Sequence, residues 1–548
     1  MVRLLFRLLY RMESTSKKGM VQLSTAIANL LVDAGKAHWI EPREDLVEAK
    51  GKGLMQTYWL KLEGKDVDGG KFASVDLSNR CSLEGSIRES GEAKERLIDW
   101  NLTTMMFLLE RIVASRGKRR SSRVDRDGEM SLRPNGWKIL DEVEEVVQLA
   151  PFDCQAVLRA DNAVVISPIV RTELRDYIAQ ISSLYLDNPF HNFAHAVSDV
   201  LAIAPPGHCS VVNPMRLLSP IAFQSHVTMS CHKLFKRINR PDEVNYSHAD
   251  MTTVVQELHN ATYGISSDPL TQLAVVISAL IHDAGHTGVP NGQLAKEHPN
   301  FVAKYGLQSL AEQRSLDISL ELLEAPCYSN LRACMIPTKE EHERFRQLII
   351  NSVLATDIFD KHLGAVRKAR WAKAFGRDLD GDEQNNNDDD VHAMNRKATI
   401  VLEHVIQASD VAHTMQHWKI YQKWNQNLYE EMYKAYREGR SENDPTSGWY
   451  KGELWFFDNY IIPLAKKLKD CGVFGISSDE YLHYAMENRN EWSEKGKAIV
   501  AEMEKKMKNE MAPMDNDIGN DNIEEMSASS MRASFRKTQS NASVTANS

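Results

Sequence analysis

Two short segments of the chain each carry two histidines four residues apart. His191 and His195 form the first pair, His282 and His286 form the second, and Asp283 follows His282 directly. If these segments are helical, each pair lies on one face of a helix. Imidazole and carboxylate groups together suit a divalent cation that activates water. The chemistry that these residues predict is hydrolysis, and a carboxylate from farther along the chain could complete the site.

The composition is that of a globular protein larger than one ordinary domain. The chain has 548 residues, of which 43% are hydrophobic and 26% are charged. Its formal net charge of -9 argues against a nucleic-acid partner, because nucleic-acid-binding domains are normally basic. The 7 cysteines include no C-x-x-C pair, which is typical of reduced thiols. No apolar run reaches the roughly 18–20 residues of a bilayer span, so the chain as given is expected to be cytoplasmic.

Four regions differ in composition. They are a segment with strand signals, a charged linker, a long stretch of helical periodicity and a Ser/Asn-rich tail that is expected to be disordered, at residues 1–64, 65–138, 139–503 and 504–548. The strand signal lies at 56–62, and the linker contains one predicted helix at 93–114. The third region predicts one large, compact, mainly all-α domain.

The helices predicted inside this domain follow from apolar residues at a period near 3.6. They lie at residues 141–150, 167–184, 270–281, 307–323, 341–354, 397–410 and 416–437. Two stretches interrupt the periodicity, at 204–250 and 376–390, and both are predicted to be insertions. The acidic end of the second stretch, 384–390, is predicted to be a solvated loop.

The motifs of this domain occur in an order that resembles a known family. Residues 139–503 are similar to the catalytic domain of class I 3′,5′-cyclic nucleotide phosphodiesterases of the HD superfamily. The matching motifs are His191-Asn192-x-x-His195, His282-Asp283-x-x-His286-x-Gly288-x-x-Asn291, Ala355-Thr356-Asp357, Ala408-Ser409-Asp410-Val411, Tyr421, Trp424, Phe456, Pro463 and Asn488-Arg489-Asn490-x-Trp492. The resemblance implies hydrolysis of a 3′,5′-cyclic nucleotide to the nucleoside 5′-monophosphate in signal transduction.

The resemblance also implies two divalent metal ions as cofactors. His195, His282, Asp283 and Asp410 would bind the first ion, for which zinc is expected. Asp283 would bridge to a second ion, magnesium or manganese, that is otherwise held by water. A hydroxide activated by both ions would attack phosphorus.

Three further residues receive roles from the same resemblance. His191 would not be a ligand but the general acid that protonates the departing 3′ oxygen, a task that suits the pKa of an imidazole. His286 and Glu312 would orient the acid and the hydroxide.

The chain departs from the family pattern at several positions near these motifs. Phe190 replaces a tyrosine, Thr287 replaces a proline, and Arg314-Ser315 stands where two histidines usually follow Glu312. None of these changes removes a metal ligand. Arg314 is expected to be solvated, with a phosphate contact as the alternative.

The predicted nucleotide pocket contains the departure with the clearest chemical consequence. Glu453 stands where the family has a glutamine that reads the purine, and His413 stands where an asparagine is common. Phe456 and Leu428 would clamp the base, and Asp357 is a further substrate-binding candidate. An ionised glutamate accepts from the two adjacent donors of guanine but opposes an acceptor of adenine. We expect a preference for cGMP over cAMP, unless Glu453 is protonated, turned away or misaligned.

Residues 11–60 carry a second resemblance, to the C-terminal end of a class III nucleotidyl cyclase domain of the guanylate type. Arg11 matches an arginine that contacts the triphosphate in such domains, whereas Arg7 stands where they have an asparagine. The segment that should carry their metal-binding aspartates is absent from this sequence, so no cyclase activity is expected. The resemblance implies that the full-length product is a cyclase fusion, for which membrane association is an open alternative, as is a homodimer.

Two other functions stay open at this point. One is a catalytically inactive regulatory module that binds a cyclic nucleotide, and the other is an HD-type phosphohydrolase of a different nucleotide. The complete ligand set argues against the first. Leu428, Trp424 and Phe456 at family positions argue against the second.

Overall fold

The described part of the chain falls into two units, Met1–Ser82 and Leu83–Ser548. The computed structural model describes residues 22–24, 28, 40–43, 47–49, 53–60, 83–117, 131–134, 136–160, 162–197, 227–237, 250–376, 387–474 and 477–510.

The described part of the first unit consists mainly of short antiparallel strands. The strands are β1 Gln22–Ser24, β2 Ile40–Pro42, β3 Val47–Ala49, β4 Gly53–Met55 and β5 Thr57–Leu60. Strand β5 pairs with β1 on one side and β2 on the other, and β3 pairs with β4. Thr57 and Trp59 are buried, which is the alternation expected of a strand with one packed face. The strand predicted at 56–62 is confirmed.

The described part of the second unit is mainly α-helical, as predicted. Its helices are α1 Leu83–Arg116, α2 Cys154–Arg159, α3 Pro168–Leu184, α4 Phe193–Val197, α5 Val227–Arg237, α6 Met251–Ala261, α7 Pro269–Ile281, α8 Asn291–Glu297, α9 Pro299–Tyr305, α10 Leu310–Glu324, α11 Ser329–Met335, α12 Lys339–Leu354, α13 Lys361–Phe375, α14 Asn387–Asp410, α15 Trp418–Arg437, α16 Trp449–Phe456, α17 Ile462–Asp470 and α18 Ser477–Glu510.

Helix α7 forms the centre of the core. All of its residues from Pro269 to Ile281 are buried, because the helix is apolar on every side. It packs against α1, α5, α12 and α14. Helices α7 and α14 both end beside the candidate site, so the core fixes the positions of the residues at their C-terminal ends.

Six of the predicted helices, corresponding to α3, α7, α10, α12, α14 and α15, are confirmed, with small shifts at their ends except that α14 begins at Asn387, ten residues before the predicted start. The helix predicted at 141–150 is wrong. Only Ile139–Glu142 form a 3₁₀ turn, and the following backbone is irregular. Side chains of α12 and α14 provide the physical reason, because they accept hydrogen bonds from backbone N–H groups that a helix would have used. These bonds run from Glu144 to Asn351, from Val147 to Thr399 and from Leu149 to Asn395.

Several predicted boundaries also differ from the structure. Helix α1 belongs to the core of the second unit rather than to a linker, since Ile98, Leu102 and Met105 are buried there. Helix α5 lies inside the stretch predicted to be an insertion and packs on α7 and α14. Helix α14 includes the acidic residues 388–390 in its first turn, so these residues do not form the predicted loop.

The C-terminal boundary differs as well. Helix α18 continues to Glu510, with Met507 buried, so residues 504–510 do not belong to a disordered tail. Residues 511–548, the rest of the predicted tail, lie outside the described residues. None of the described helices combines the length and the hydropathy that a membrane crossing requires.

Asp268 ties the start of α7 to the rest of the core. It is 3% exposed and accepts hydrogen bonds from the backbone of Thr271, from the backbone of Ala150 and from Arg344. We expect Asp268→Ala to lower the free energy of unfolding by about 3–5 kcal/mol, because it removes a cap and leaves Arg344 without its buried carboxylate. Chemical denaturation measures this change.

The matched control is Asp360→Ala. Asp360 caps α13 by accepting only one backbone hydrogen bond, from Leu363. Its removal should lower the free energy of unfolding by about 1 kcal/mol. Equal effects of the two substitutions would contradict the role given to Arg344.

Candidate metal and acid–base site

Four of the residues singled out from the sequence converge in space. His195 lies on α4, His282 and Asp283 follow α7, and Asp410 is the last residue of α14. Each offers one ligand atom, and these atoms all lie within 4.8 Å of one another. Nε2 of His195 is 3.2 Å from Oδ1 of Asp410, and Nε2 of His282 is 3.0 Å from Oδ2 of Asp283. The arrangement could hold one divalent cation.

The environment of His282 fits a metal ligand. Its Nδ1 lies 2.9 Å from the carbonyl oxygen of Ala279, which places the proton on Nδ1 and turns the Nε2 lone pair toward the carboxylates. The Nε2 atom is buried and makes no hydrogen bond of acceptable geometry. Burial lowers the pKa of His282, but Asp283 and Asp410 outweigh burial and hold that pKa well above its ordinary value. The cluster therefore attracts positive charge. Its four converging ligand atoms favour a metal ion over a proton as the source of that charge.

The two histidine pairs do not lie on helix faces, so this expectation is wrong. His191 precedes α4, which begins at Phe193, and α7 ends before His282. Gly285, with φ of +75°, turns the chain between His282 and His286. Each pair is therefore divided: one member joins the metal cluster and the other joins a second cluster.

The second cluster contains His191, His286 and Glu431. Nδ1 of His191 lies 2.5 Å from Oε1 of Glu431. The other carboxylate oxygen accepts the backbone N–H groups of Phe190 and His191, each at 2.9 Å. The rings of His191 and His286 contact each other at an interplanar angle of 34°, with centroids 3.9 Å apart. Glu431 thus fixes both the ring and the backbone of His191.

This cluster separates the protonation states of its two histidines. Burial lowers the pKa of His191, but the Glu431 carboxylate outweighs burial and raises it to about 9. Burial and the charge on His191 together lower the pKa of His286 to about 4. The pKa of Glu431 falls to about 2 because His191 overcomes its burial. His191 is a protonated imidazole at neutral pH, with Nε2 as the nitrogen that can release a proton.

Glu431 was missed at the level of sequence. It lies on α15, seven residues after Trp424 and three after Leu428, on the same face as both. It is 4% exposed, and a glutamate is almost never buried unless it is paired. A carboxylate on the apolar face of an amphipathic helix was the signal that could have identified it.

Glu312 and Asp357 belong to neither group of converging ligands among the described residues, although the charge of Asp283 in the first group acts on Glu312. Glu312 accepts a hydrogen bond from the side-chain amide of Asn291 at 3.0 Å. Burial, and then the charge of Asp357, raise the pKa of Glu312 to about 7. Asp357 accepts from the hydroxyl of Ser309 at 2.8 Å. Both carboxyl groups are therefore held in place by hydrogen bonds within the chain.

Glu453 lies on α16, where Oε2 accepts a 2.7 Å hydrogen bond from the hydroxyl of Tyr421. Burial raises the pKa of Glu453 to about 7, against the opposing effect of hydrogen bonds from Tyr421 and Asn425. Phe456 and Leu428 are both half-buried and pack against the main core. These positions are compatible with a pocket that has an apolar clamp and one carboxyl group.

His413 and Phe190 pack behind the metal cluster. Burial lowers the pKa of His413 to about 3, so its ring is neutral, and His195 lowers it further. The ring of Phe190 contacts the rings of His195 and His413, with centroids 4.5 Å and 5.6 Å away. Trp424 contacts the same group from α15, 5.7 Å from Phe190. The aromatic side chain at 190 therefore fills space between the clusters.

Arg314 is not solvated as expected. It donates a hydrogen bond to the carbonyl oxygen of Gly285, and its guanidinium lies 4.9 Å from the centre of the Phe301 ring. It therefore fixes the turn between Asp283 and His286 from α10. A Cβ at position 285 would lie very close to the guanidinium, and the positive φ favours glycine there.

Residues 245–472 match the family model described as 3′5′-cyclic nucleotide phosphodiesterase. A probable 3′,5′-cyclic-AMP phosphodiesterase of Caenorhabditis elegans is 23% identical over 289 residues, which are 53% of this chain and 33% of that protein. A cGMP-specific 3′,5′-cGMP phosphodiesterase of Dictyostelium discoideum is 19% identical over 334 residues, 60% of this chain and 56% of that protein. The chain thus spans about a third to just over half of the length of these two relatives.

A solved structure also matches at the level of the whole domain. It is the phosphodiesterase domain of a RhoPDE fusion protein from the choanoflagellate Salpingoeca rosetta, with 18% sequence identity and a TM-score of 0.40. The match covers 66% of this chain and 97% of that chain.

The pair of His191 and Glu431 yields a prediction that requires no substrate. In Glu431→Gln, burial would act on His191 against only the charges of Asp283 and Asp410, so the pKa of His191 should fall from about 9. Titration of the histidine ring signals by NMR measures this change.

The neighbouring substitution Glu430→Gln serves as the control and should leave His191 charged up to about pH 9. An unchanged titration of His191 in Glu431→Gln would contradict the role of Glu431.

Proposed function

We propose that this chain, which carries a 3′,5′-cyclic nucleotide phosphodiesterase domain at residues 245–472, hydrolyses a 3′,5′-cyclic nucleotide to the nucleoside 5′-monophosphate. One observation carries the proposal: a cluster of four metal-type ligands lies beside a protonated imidazole. The rings of His195, in the cluster, and His191, the imidazole, have centroids 6.1 Å apart. Hydrolysis of a phosphodiester needs a group that stabilises the negative charge developing on the phosphate, and it needs a proton donor for the leaving oxygen.

We propose two divalent ions as cofactors, of which the donor set supports the first. His195, His282, Asp283 and Asp410 would hold the first, for which two imidazoles and two carboxylates favour zinc. Asp283 would reach a second ion, magnesium or manganese. When bound, the ions would supply Lewis acidity to the phosphate and lower the pKa of an attacking water.

The residues around the ions would move and hold the protons. The attacking water first releases one proton to solvent. As the oxygen of the resulting hydroxide forms its bond to phosphorus, the bond from phosphorus to O3′ breaks, and His191 Nε2 gives its proton to O3′. Glu431 stabilises the charged form of His191 before the step. His286 stays neutral and packs on the His191 ring, which keeps that ring in one orientation. Glu312 would orient the attacking water through its fixed carboxyl group, and Asp357 would contribute to substrate binding.

Glu453 supports cGMP as the favoured nucleotide. In its ionised form the carboxylate would accept from the adjacent N1–H and N2–H groups of guanine. With a pKa of about 7, Glu453 also occurs in a protonated form that presents one donor and one acceptor, as glutamine does. Tyr421 and Asn425, which hydrogen-bond to the Glu453 carboxyl group, are both uncharged. The two relatives described above differ in the nucleotide that their names give, cAMP for one and cGMP for the other. The proposed preference therefore rests on the residues of the pocket and not on these relatives.

The resemblance of the N-terminal unit to the end of a nucleotidyl cyclase domain stays a prediction. The antiparallel strands β1, β5 and β2 are compatible with the end of a cyclase-like domain in residues 1–64. A cyclase fusion and a homodimer likewise remain predictions for the full-length product.

The reaction is tested by separating metal binding from proton transfer. Asp410→Ala should lose bound metal and activity together, because it removes a ligand. His191→Ala should keep its metal and lose about 10²- to 10⁴-fold in kcat, the usual contribution of a general acid. Metal analysis and the release of 5′-GMP and 5′-AMP by the full chain, with and without a chelator, measure both effects.

A matched control is Asp99→Ala, which removes an exposed partner of Arg175 and should leave metal and rate unchanged. Wild-type rates in Asp410→Ala and His191→Ala would refute the assignment. Binding of a cyclic nucleotide without any product from the wild type would favour the regulatory-module alternative.

The preference for cGMP should depend on pH. Burial raises the pKa of Glu453 to about 7, so the group is protonated below that pH and ionised above it. The ratio of kcat/KM for cGMP to kcat/KM for cAMP should therefore rise about 5- to 10-fold from pH 6 to pH 8, as expected for one buried hydrogen bond to a charged group. In Glu453→Gln the ratio should be lower than that of the wild type at pH 8, and it should not change with pH.

Using the ratio cancels effects of pH on the metal cluster and on His191, which act on both substrates. Glu430→Gln is the control and should behave as the wild type. A ratio that is constant with pH in the wild type and unchanged in Glu453→Gln would refute the cGMP preference.

A further inference from the structure

Tyr460 carries a buried hydroxyl that the fold does not use. The residue lies in the π-helical turn Phe457–Ile461, one turn after Phe456. Its ring stacks on that of Phe456, with centroids 5.4 Å apart and 13° between the planes. The hydroxyl oxygen is buried and has no hydrogen-bond partner among the residues that the structure describes. A buried polar atom without a partner is unfavourable, so it points to a partner outside the chain.

The local sequence explains why Tyr460 takes this position. Pro463 has no N–H to donate to the carbonyl of Asn459, so the regular helical pattern cannot continue through it. The N–H of Ile462 instead bonds to the carbonyl of Phe457, five residues earlier. Such π-helical turns occur frequently at functional sites. The wider turn connects α16 to α17 and holds Tyr460 against Phe456.

The surroundings of the hydroxyl belong to the candidate site. Burial raises the pKa of Tyr460, the charge of Asp410 raises it further, and Arg367 lowers it. Asp410 is one of the four clustered ligands, and Arg367 donates to the backbone carbonyl of Asp357. The phenol is therefore protonated, and it lies near enough to Asp410 and to Arg367 of α13 for their charges to act on it. It can donate one hydrogen bond and accept another.

We propose that the Tyr460 hydroxyl hydrogen-bonds the purine edge of the bound cyclic nucleotide. This inference rests on the proposed function and adds a nucleotide-binding residue to it. A base packed against Phe456 would lie next to the ring that Tyr460 stacks on, and the bond would satisfy the oxygen that is unpartnered in the free protein. Because a phenol both donates and accepts, Tyr460 would serve guanine and adenine alike. It would contribute affinity, whereas Glu453 would contribute selectivity.

The test uses full chains with the substitution His191→Ala, which should bind without turnover, loaded with zinc and magnesium. Calorimetric titration with cGMP and with cAMP gives the Kd for each. Adding Tyr460→Phe should raise both Kd values about 3- to 10-fold, the effect of one hydrogen bond. In the otherwise wild-type enzyme the same substitution should raise KM and leave kcat nearly unchanged.

Thermal unfolding separates this role from a structural one. Without nucleotide, Tyr460→Phe should keep or raise the Tm, because it removes an unsatisfied buried group. The matched control is Tyr328→Phe, since the hydroxyl of Tyr328 donates to Asp176 at 2.6 Å, away from the site. That control should lower the Tm and leave both Kd values unchanged.

Unchanged Kd values in Tyr460→Phe would overturn the inference, and a lower Tm with unchanged Kd would overturn it by indicating a structural partner. If the His191→Ala chain binds no cyclic nucleotide and the wild type hydrolyses none, the proposed function itself fails.

Discussion

The packing of two core helices fixes two carboxylates, Asp283 and Asp410, beside two buried imidazoles. Both lie at the C-terminal ends of helices that pack in the core, and one of these helices, α7, is buried along its whole length. Taking charged groups out of water is unfavourable unless they are paired or bind a cation. The core therefore supports an arrangement that needs positive charge, and the demand for a cation follows from the packing of α7 and α14.

A third carboxylate, Glu431, imposes a different state on the histidines next to this cluster. It holds His191 charged, and that charge together with burial keeps His286 neutral. Two rings only 3.9 Å apart thus have opposite protonation states, set by one buried side chain. Acid–base sites commonly use environments that push the pKa values of neighbouring groups apart. The motifs supply the histidines, but their separate tasks depend on a residue from another helix.

The sequence was sufficient to predict the elements that depend on local pattern. The apolar run before His282 predicted α7, and motifs that resemble those of a known family predicted which four residues converge in the candidate metal site. Local pattern could not predict the irregular backbone at 141–150, because distant side chains such as Asn351 and Thr399 accept its hydrogen bonds. It failed for Arg314 for the same reason, since the carbonyl of Gly285 and the ring of Phe301 become its neighbours only in the folded chain.

Helix α15 links the pocket for the base to the acid. Tyr421, Trp424, Leu428 and Glu431 recur at intervals of three and four residues, so they share one face of the helix. Tyr421 holds Glu453, Trp424 lies 5.5 Å from the ring of His195, and Glu431 holds His191. One rigid element therefore sets the position of the group that would read the nucleotide and of the group that would protonate its leaving oxygen. A base that displaces Glu453 would act on Tyr421 and, through the same helix, on the partner of His191. Recognition and chemistry in this site are for that reason expected to change together when α15 is altered.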